Sequence, residues 1–527
     1  MRLKLRKRML AALGALFLGV GALVHLVVAR PERNTVFLAG SCEVPATIIE
    51  PAARGGNVTA IVFHGLSANR RLMTTLGQSL AWSDLRVILV DLPGHGDNSD
   101  AFSIERCEEC AGALLDSFAK SGEINPDRTV LIGHSLGGAL AMRMADRVPV
   151  AATVAISPAP MVPVENIPAD VIPMKPPHRM PANLLIVMGQ LEPERAKQAA
   201  QKLIEMAGGQ RHVLEDFRQR RAARLIVAPY ATHTSLLINR RVWDVMDVWW
   251  RMATPVRWPT RNFFGYTLYG GMISGVIGLA FLFALAVRVV ASGGAKSSGA
   301  PPPRTATVLV VWLMAAALGG GLSYVLVPLR VLRIFGGSLL ASVLAIVGVI
   351  VLAYLWRAAR AQHAAPLPSE DQKGWAVGAA LGLATVLAFS AWLGWQATDV
   401  WMNGARWWRF ALLAPLLLLH SLAEEKALGW ERSAEAGAAN WGGRLRRYFI
   451  FFLLRLMVLL AVALPLGGWQ IERVLILLLT PYLVIFSVGQ RLGADAVRRE
   501  SGSLAAAAVF SAILAAWFIA GVFPITG

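Results

Sequence analysis

The sequence predicts two fold classes in one chain. A mostly parallel α/β sheet flanked by helices is followed by an all-α polytopic membrane domain, with about nine transmembrane helices in total. Three observations predict this. The chain has 527 residues, more than one compact core holds, and is 55% hydrophobic but only 16% charged, with a mean hydropathy of +0.52; soluble domains are nearer a quarter charged. Between residues 31 and 262 the apolar runs shorten to strand length and alternate with helical stretches. On either side, at 1–30 and 263–527, they lengthen to the thickness of a bilayer.

The N-terminus reads MRLKLRKR, followed by an uncharged apolar run from Met9 to Ala29. That run exceeds a signal-peptide core, although Val27-Val28-Ala29 leaves a weak cleavage site open, and a retained anchor with its N-terminus in the cytoplasm is expected. Six bursts then read as buried parallel strands: Thr59–Phe63, Arg86–Val90, Thr129–Ile132, Thr153–Ile156, Leu184–Met188 and Leu225–Val227. Eight further spans are predicted near 264–287, 306–327, 335–356, 375–395, 409–423, 448–467, 471–488 and 504–524, with a flexible linker at Ala291–Arg304. With nine spans, the short cytoplasmic segments carry 19 Lys and Arg and the short opposite loops carry 5. That asymmetry supports nine spans with the α/β domain and the C-terminus outside the cytoplasm, and the expected setting is a bacterial inner membrane with the α/β domain on the periplasmic side.

The formal net charge of +18 arises mostly beside apolar runs, so no nucleic-acid partner is expected. Cys42, Cys107 and Cys110 are too few for a disulfide framework. Cys107 and Cys110 read as two small helical residues or as an incidental disulfide with each other, and the spacing supplies no further metal ligands. Neither metal nor cofactor is expected. Oligomeric state is not legible.

The stretch VLIGHSLGGA, Val130 to Ala139, places Gly133-His134-Ser135-Leu136-Gly137 between a buried strand and a helix. This is the context of a G-x-S-x-G nucleophile elbow, where Gly133 and Gly137 admit a turn too tight for side chains, and His134 and Ser135 stand on it. A serine nucleophile needs a base. His233 follows the strand Leu225–Val227 in APYATH, and Glu192 lies just beyond the tip of Leu184–Met188. The order Ser, acid, His matches that of strand-tip triads. Glu194, Asp170 and Asp216 are the competing carboxylates. Two backbone N–H groups are expected to hold an oxyanion, those of Leu66, after the strand Thr59–Phe63, and of Leu136. His64 reads as a loop brace.

The stretches FHGLSAN, DLPGHGDNSD, LIGHSLGG, LLIVMGQLEPE and APYATH together resemble the motif set of the α/β-hydrolase superfamily, nearest its monoacylglycerol lipase and serine aminopeptidase-like branch. The resemblance covers roughly residues 33–250. It implies a Ser-acid-His esterase, thioesterase, lipase or peptidase, with Ser135, Glu192 and His233 as the triad and Asp91, Gly94, His95 and Gly96 in a structural loop. Two departures stand out. The acid is Glu where this branch usually has Asp, and only the proline-rich stretch Pro158–Pro181 occupies the place of a helical cap.

The expected activity is therefore cleavage of a lipid-linked ester or thioester at the bilayer. Two alternatives remain: an acyltransferase using the same triad, and a transporter or scaffold with a non-catalytic hydrolase-like module. Trp243, Trp249, Trp250 and Trp258 read equally as interfacial anchors or as core. Arg455, inside a span, reads equally as snorkelling or as functional, His420 as solvated near a span end, and Arg406 to Arg409, with Asp399 and Trp401, as contacts for the hydrolase domain or an anionic headgroup.

Overall fold

The structure is a computed structural model and describes residues 2–51, 58–165, 172–254, 263–291, 305–325, 328–361, 372–396, 402–428, 441–463 and 471–526. The linker beyond Ala291, Asp170, Trp258, Asp399 and Trp401 lie outside the described residues. The chain divides into two compact units: one of Phe17–Val276 with Trp392–Trp401 and Pro524–Gly527, the other of Met1–Leu16, Ile277–Ala391 and Met402–Phe523.

The first unit follows the helix α1 (Arg2–Val28) with an eight-stranded sheet of order β1-β2-β4-β3-β5-β6-β7-β8. The strands are β1 (Glu32–Ala39), β2 (Cys42–Ile49), β3 (Val58–Phe63), β4 (Leu85–Val90), β5 (Thr129–His134), β6 (Ala152–Ile156), β7 (Leu184–Gly189) and β8 (Ala223–Ala228). From β4 through β8 every pairing is parallel. β1 and β2 form an antiparallel hairpin that the strand bursts did not predict, and β2 adds antiparallel to β4. All six residues of β3, β5 and β7 are buried, as strands covered on both faces must be. The intervening helices are α2 (Thr74–Trp82), α3 (Ile104–Ser121), α4 (Leu136–Arg147), α5 (Glu194–Met206), α6 (Leu214–Arg218) and α7 (Arg240–Ala253). No helix forms among the described residues between β6 and β7.

Trp243, Trp249 and Trp250 resolve as core. They are buried with Leu76, Leu80 and Phe217 against the sheet, and the Trp249 indole N–H donates to the Asn183 carbonyl at 2.7 Å. The amphipathic pattern of α7 turns that face inward, which removes the interfacial reading. A disulfide joins Cys42, at the start of β2, to Cys110 of α3, with Cα atoms 5.4 Å apart. The suggested Cys107–Cys110 pair is therefore wrong. Cys110 is bonded to Cys42 across the fold, and Cys107 is buried and reduced, its thiol pushed up to about 12 by burial. Asp100 lies beside Cys42 and Cys110, but both sulfurs are consumed in the disulfide.

The remaining helices are α8 (Phe263–Val290), α9 (Thr305–Val325), α10 (Gly337–Ala361), α11 (Gln372–Gln396), α12 (Gly404–Ala427), α13 (Trp441–Ala463), α14 (Ile471–Leu478), α15 (Thr480–Ser501) and α16 (Leu504–Val522). Among the described residues six helices, α1, α8, α9, α10, α11 and α16, are long and apolar enough to cross a membrane; the pair α14 and α15, bent by 55°, gives a seventh if it is one span. The sequence expectation of about nine included α12 and α13, which carry charge within their length. That charge is paired inside the second unit. Arg455 of α13 does not snorkel but meets Glu424 of α12 at 2.7 and 2.8 Å. His420 is buried rather than solvated, its Nε2 3.8 Å from Glu424. Arg406 donates to the Ala520 and Phe523 carbonyls at 2.7 and 2.9 Å, capping α16, and Arg409 donates to the Leu332 carbonyl at 2.6 Å. These contacts satisfy carbonyls at helix ends. Glycines set the helix crossings: a Cβ on Gly348 of α10 would lie 2.5 Å from the His420 backbone nitrogen.

Candidate functional site

The site lies at the carboxyl ends of the parallel strands, where loops leave the sheet. β5 ends at His134, and Ser135 takes a backbone φ of +56° before α4 begins. A non-glycine residue there is strained and is held by its surroundings. Its N–H donates to the Ile156 carbonyl at 2.9 Å, and its own carbonyl accepts from Gly138 and Ala159. The flanking glycines explain the corner. A Cβ on Gly133 would stand 1.9 Å from the Gly137 carbonyl oxygen, and one on Gly137 would stand 2.3 Å from that of Phe63. Ser135 is half-buried at the N-terminus of α4, and its hydroxyl has no hydrogen-bond partner among the described residues.

The tips of β7 and β8 are laced together. Gln190 N–H donates to the Ala228 carbonyl and Leu191 N–H to that of Ala231. Gly189 permits this approach, since a Cβ there would lie 2.4 Å from the Ala231 oxygen. The result brings Glu192 to His233, whose Nδ1–H donates to Glu192 Oε1 at 2.7 Å. Glu192 Oε2 accepts the Gly189 N–H at 2.6 Å. Burial raises the cost of the Glu192 charge, but His233, Ser157 and Gly189 outweigh it and hold its pKa below the ordinary carboxylate value. Among the competitors, Asp216 instead caps α6 through the Val213 N–H, and Glu194 pairs with Lys197.

Two neighbours have roles that motif reading missed. Ser157, directly after β6, bonds through its hydroxyl to Glu192 Oε1 and lies 2.7 Å from His233 Nδ1. His134 donates from Nε2 to the His233 carbonyl at 3.0 Å, which fixes the loop after β8. Burial, then the neighbouring His233, lowers the His134 pKa to about 3, so it is a neutral donor. The one signal for either was position: His134 lies within the elbow at the end of β5, and Ser157 directly follows β6.

The loop after β3 lies against the elbow. A Cβ on Gly65 would stand 3.0 Å from both Ser135 Cβ and His134 Nδ1. Leu66 follows in that turn, and Leu136 is the first residue of α4, where N–H groups lack helical acceptors. Neither N–H is taken among the described residues. His64 braces this loop: its Nδ1–H donates to the Gly65 carbonyl at 2.8 Å and its Nε2 accepts the Leu92 N–H at 3.0 Å. Burial lowers its pKa to about 4. His95 does likewise for Ser67, accepting its N–H at 3.2 Å. Asp91 accepts the backbone N–H of Arg70 and of Asp97 and pairs with the Arg70 guanidinium. Gly96, at φ +51°, wraps so closely that a Cβ would meet the Asp91 carboxylate at 2.3 Å.

A stretch of 105 residues, 19% of this chain, is 35% identical to the biotin biosynthesis bifunctional protein BioHC of Teredinibacter turnerae, covering 17% of that protein. A stretch of 89 residues, 17% of this chain, is 36% identical to the pimeloyl-[acyl-carrier protein] methyl ester esterase of Nitrosospira multiformis, covering 33% of it. The chain thus spans a third or less of the length of these relatives. Among solved structures, a serine hydrolase without lid from Xanthomonas campestris is 16% identical, with 44% of this chain and 99% of that one covered and a TM-score of 0.33. A dienelactone hydrolase from Anabaena variabilis is 18% identical, with 42% and 97% covered and a TM-score of 0.30. Residues 60–270 match the alpha/beta hydrolase family, and this chain, with its parallel sheet and strand-tip site, carries an α/β-hydrolase fold.

Proposed function

We propose that the chain is a membrane-integral serine hydrolase that cleaves a carboxylic ester or thioester, on a lipid-linked substrate, through an acyl-enzyme at Ser135. One observation carries the reading. Ser135 stands on a strained corner at the tip of β5, while His233, held by Glu192 at 2.7 Å, rises at the same sheet edge. In the reaction, Ser135 Oγ attacks the acyl carbonyl as His233 Nε2 takes its proton. Glu192 stabilises the imidazolium, and the Leu66 and Leu136 N–H groups receive the charge developing on the carbonyl oxygen. His233 returns the proton to the leaving alcohol or thiol. It then draws a proton from water as the water oxygen attacks the acyl carbon, and returns that proton to Ser135 Oγ as the bond to the acyl group breaks and the acid leaves.

Ester chemistry is supported by the relative named for methyl ester cleavage. The lipid-linked substrate and the membrane setting are supported by the apolar helices and by the lack of a helix among the described residues where a cap would insert. The Cys42–Cys110 disulfide supports a periplasmic, non-reducing site for the hydrolase domain.

The test is hydrolysis of esters of increasing acyl length by detergent-purified protein, beside Ser135→Ala and His233→Ala. Turnover is expected to favour long chains and to fall by about 10⁶-fold in each variant, the loss typical of removing a triad member. Activity confined to short esters contradicts the lipid substrate, and undiminished activity in the variants contradicts the mechanism.

A further inference from the structure

Ser157 is a serine at the end of a buried strand, 1% exposed, with a backbone φ of +47°. No motif requires a hydroxyl there. Its N–H donates to the Val187 carbonyl of β7 at 2.6 Å, which aims its side chain across the strand tips. Its hydroxyl then reaches both partners of the pair that orients the base: it donates to Glu192 Oε1 and lies 2.7 Å from His233 Nδ1.

This arrangement answers a problem set by the acid itself. Glutamate carries one more methylene than aspartate, hence one more torsion through which its carboxylate can swing away from the imidazole. Immobilising a side chain of this kind costs entropy, which hydrogen bonds from fixed donors offset. Here each oxygen has its own. Gly189 N–H takes Oε2 at 2.6 Å and Ser157 takes Oε1. Ser157 gives its own proton to Oε1, so that carboxylate oxygen is the acceptor held against the Nδ1 proton. The opposite nitrogen, Nε2, is left unprotonated.

We propose that Ser157 is a positioning residue that locks the Glu192 carboxylate onto His233 and so maintains the ring tautomer that Ser135 needs. This rests on the serine-hydrolase reading above. It adds a fourth side chain, acting through the acid and without contact to the substrate.

The test is steady-state hydrolysis of a p-nitrophenyl ester, with fluorophosphonate labelling of Ser135 in parallel, on the full-length protein in detergent. Ser157→Ala removes the hydroxyl. Ser157→Gly removes it too, with a residue at ease at positive φ, and so controls for strain. Both are expected to lower kcat and the labelling rate by about 10- to 100-fold, the scale of a misplaced catalytic group. KM is expected to stay within about twofold and the thermal midpoint to be unchanged, since uniform binding is untouched. In a Glu192→Ala background the same changes are expected to cost less than about threefold, because no carboxylate remains to be held. Wild-type kcat in both single variants overturns this inference alone, as does a full additional loss in the Glu192→Ala background. A wild-type protein that neither turns over the ester nor labels at Ser135 overturns the hydrolase reading, and this inference with it.

Discussion

His64 shows how much of the candidate site depends on side chains that only brace its loops. Both ring nitrogens are used within its own loop, and burial keeps it neutral down to about pH 4; His134, neutral to about pH 3 by burial, anchors the His233 carbonyl. The ordinary histidine pKa is near 6.5, so in acid the unfolded chain binds these protons before the folded one does. The stability they contribute is complete above about pH 6.5 and is lost as pH falls towards the folded values, each pH unit being worth about 1.4 kcal/mol per group. The thermal midpoint in detergent is expected to drop between pH 7 and pH 5, and His64→Gln to flatten that slope. A midpoint unchanged over this range would contradict the assignment. At this scale the sequence was informative where chemistry and position coincided. Ser135, Glu192 and His233 could be placed because each follows an apolar strand, and the structure brings the last two together. Ser157 and the Arg70–Asp91 pair could not, because their partners lie 35 and 21 residues away and only strand order makes them neighbours.

The strands illustrate the same limit one level up. The six parallel strands announce themselves as continuous apolar bursts, because both faces are covered. The hairpin of β1 and β2 does not. β1 is largely half-exposed and polar at its start, and β2 contains Pro45, which argues against a strand when read alone. Pro45 is accommodated before the register with β4 begins at Ala46, and its carbonyl accepts the Asp91 N–H at 2.9 Å. The hairpin is tied down by the Cys42–Cys110 disulfide, which closes a separation of 68 residues. A loop of that size contributes about 4 kcal/mol in the chain-entropy account. Cys42→Ser is expected to lower the thermal midpoint by several degrees, and peptide mapping without reductant is expected to recover Cys42 joined to Cys110 with Cys107 free. Recovery of a Cys107–Cys110 peptide would contradict the pairing.

For the whole molecule, composition foretold two architectures, and the α/β-hydrolase fold and a helical C-terminal region are both present. The helix count was less legible. Hydropathy cannot distinguish a span from a helix whose charges are paired within a bundle, and α12 and α13 carry such charges: Glu424 with Arg455, and Glu425 of α12 with Arg491 of α15. Breaking a buried pair of this kind typically costs about 3–5 kcal/mol, because the remaining charge is left buried and uncompensated. The central claim nonetheless sits on a single oxygen atom at the sheet's edge. The most direct measurement is to treat the full-length protein with a fluorophosphonate and map the adduct by peptide mass spectrometry, beside Ser135→Ala and His233→Ala. The account predicts one adduct, on Ser135, absent in Ser135→Ala and slowed by orders of magnitude in His233→Ala. No adduct on the native protein, or one that persists when Ser135 is removed, would contradict it.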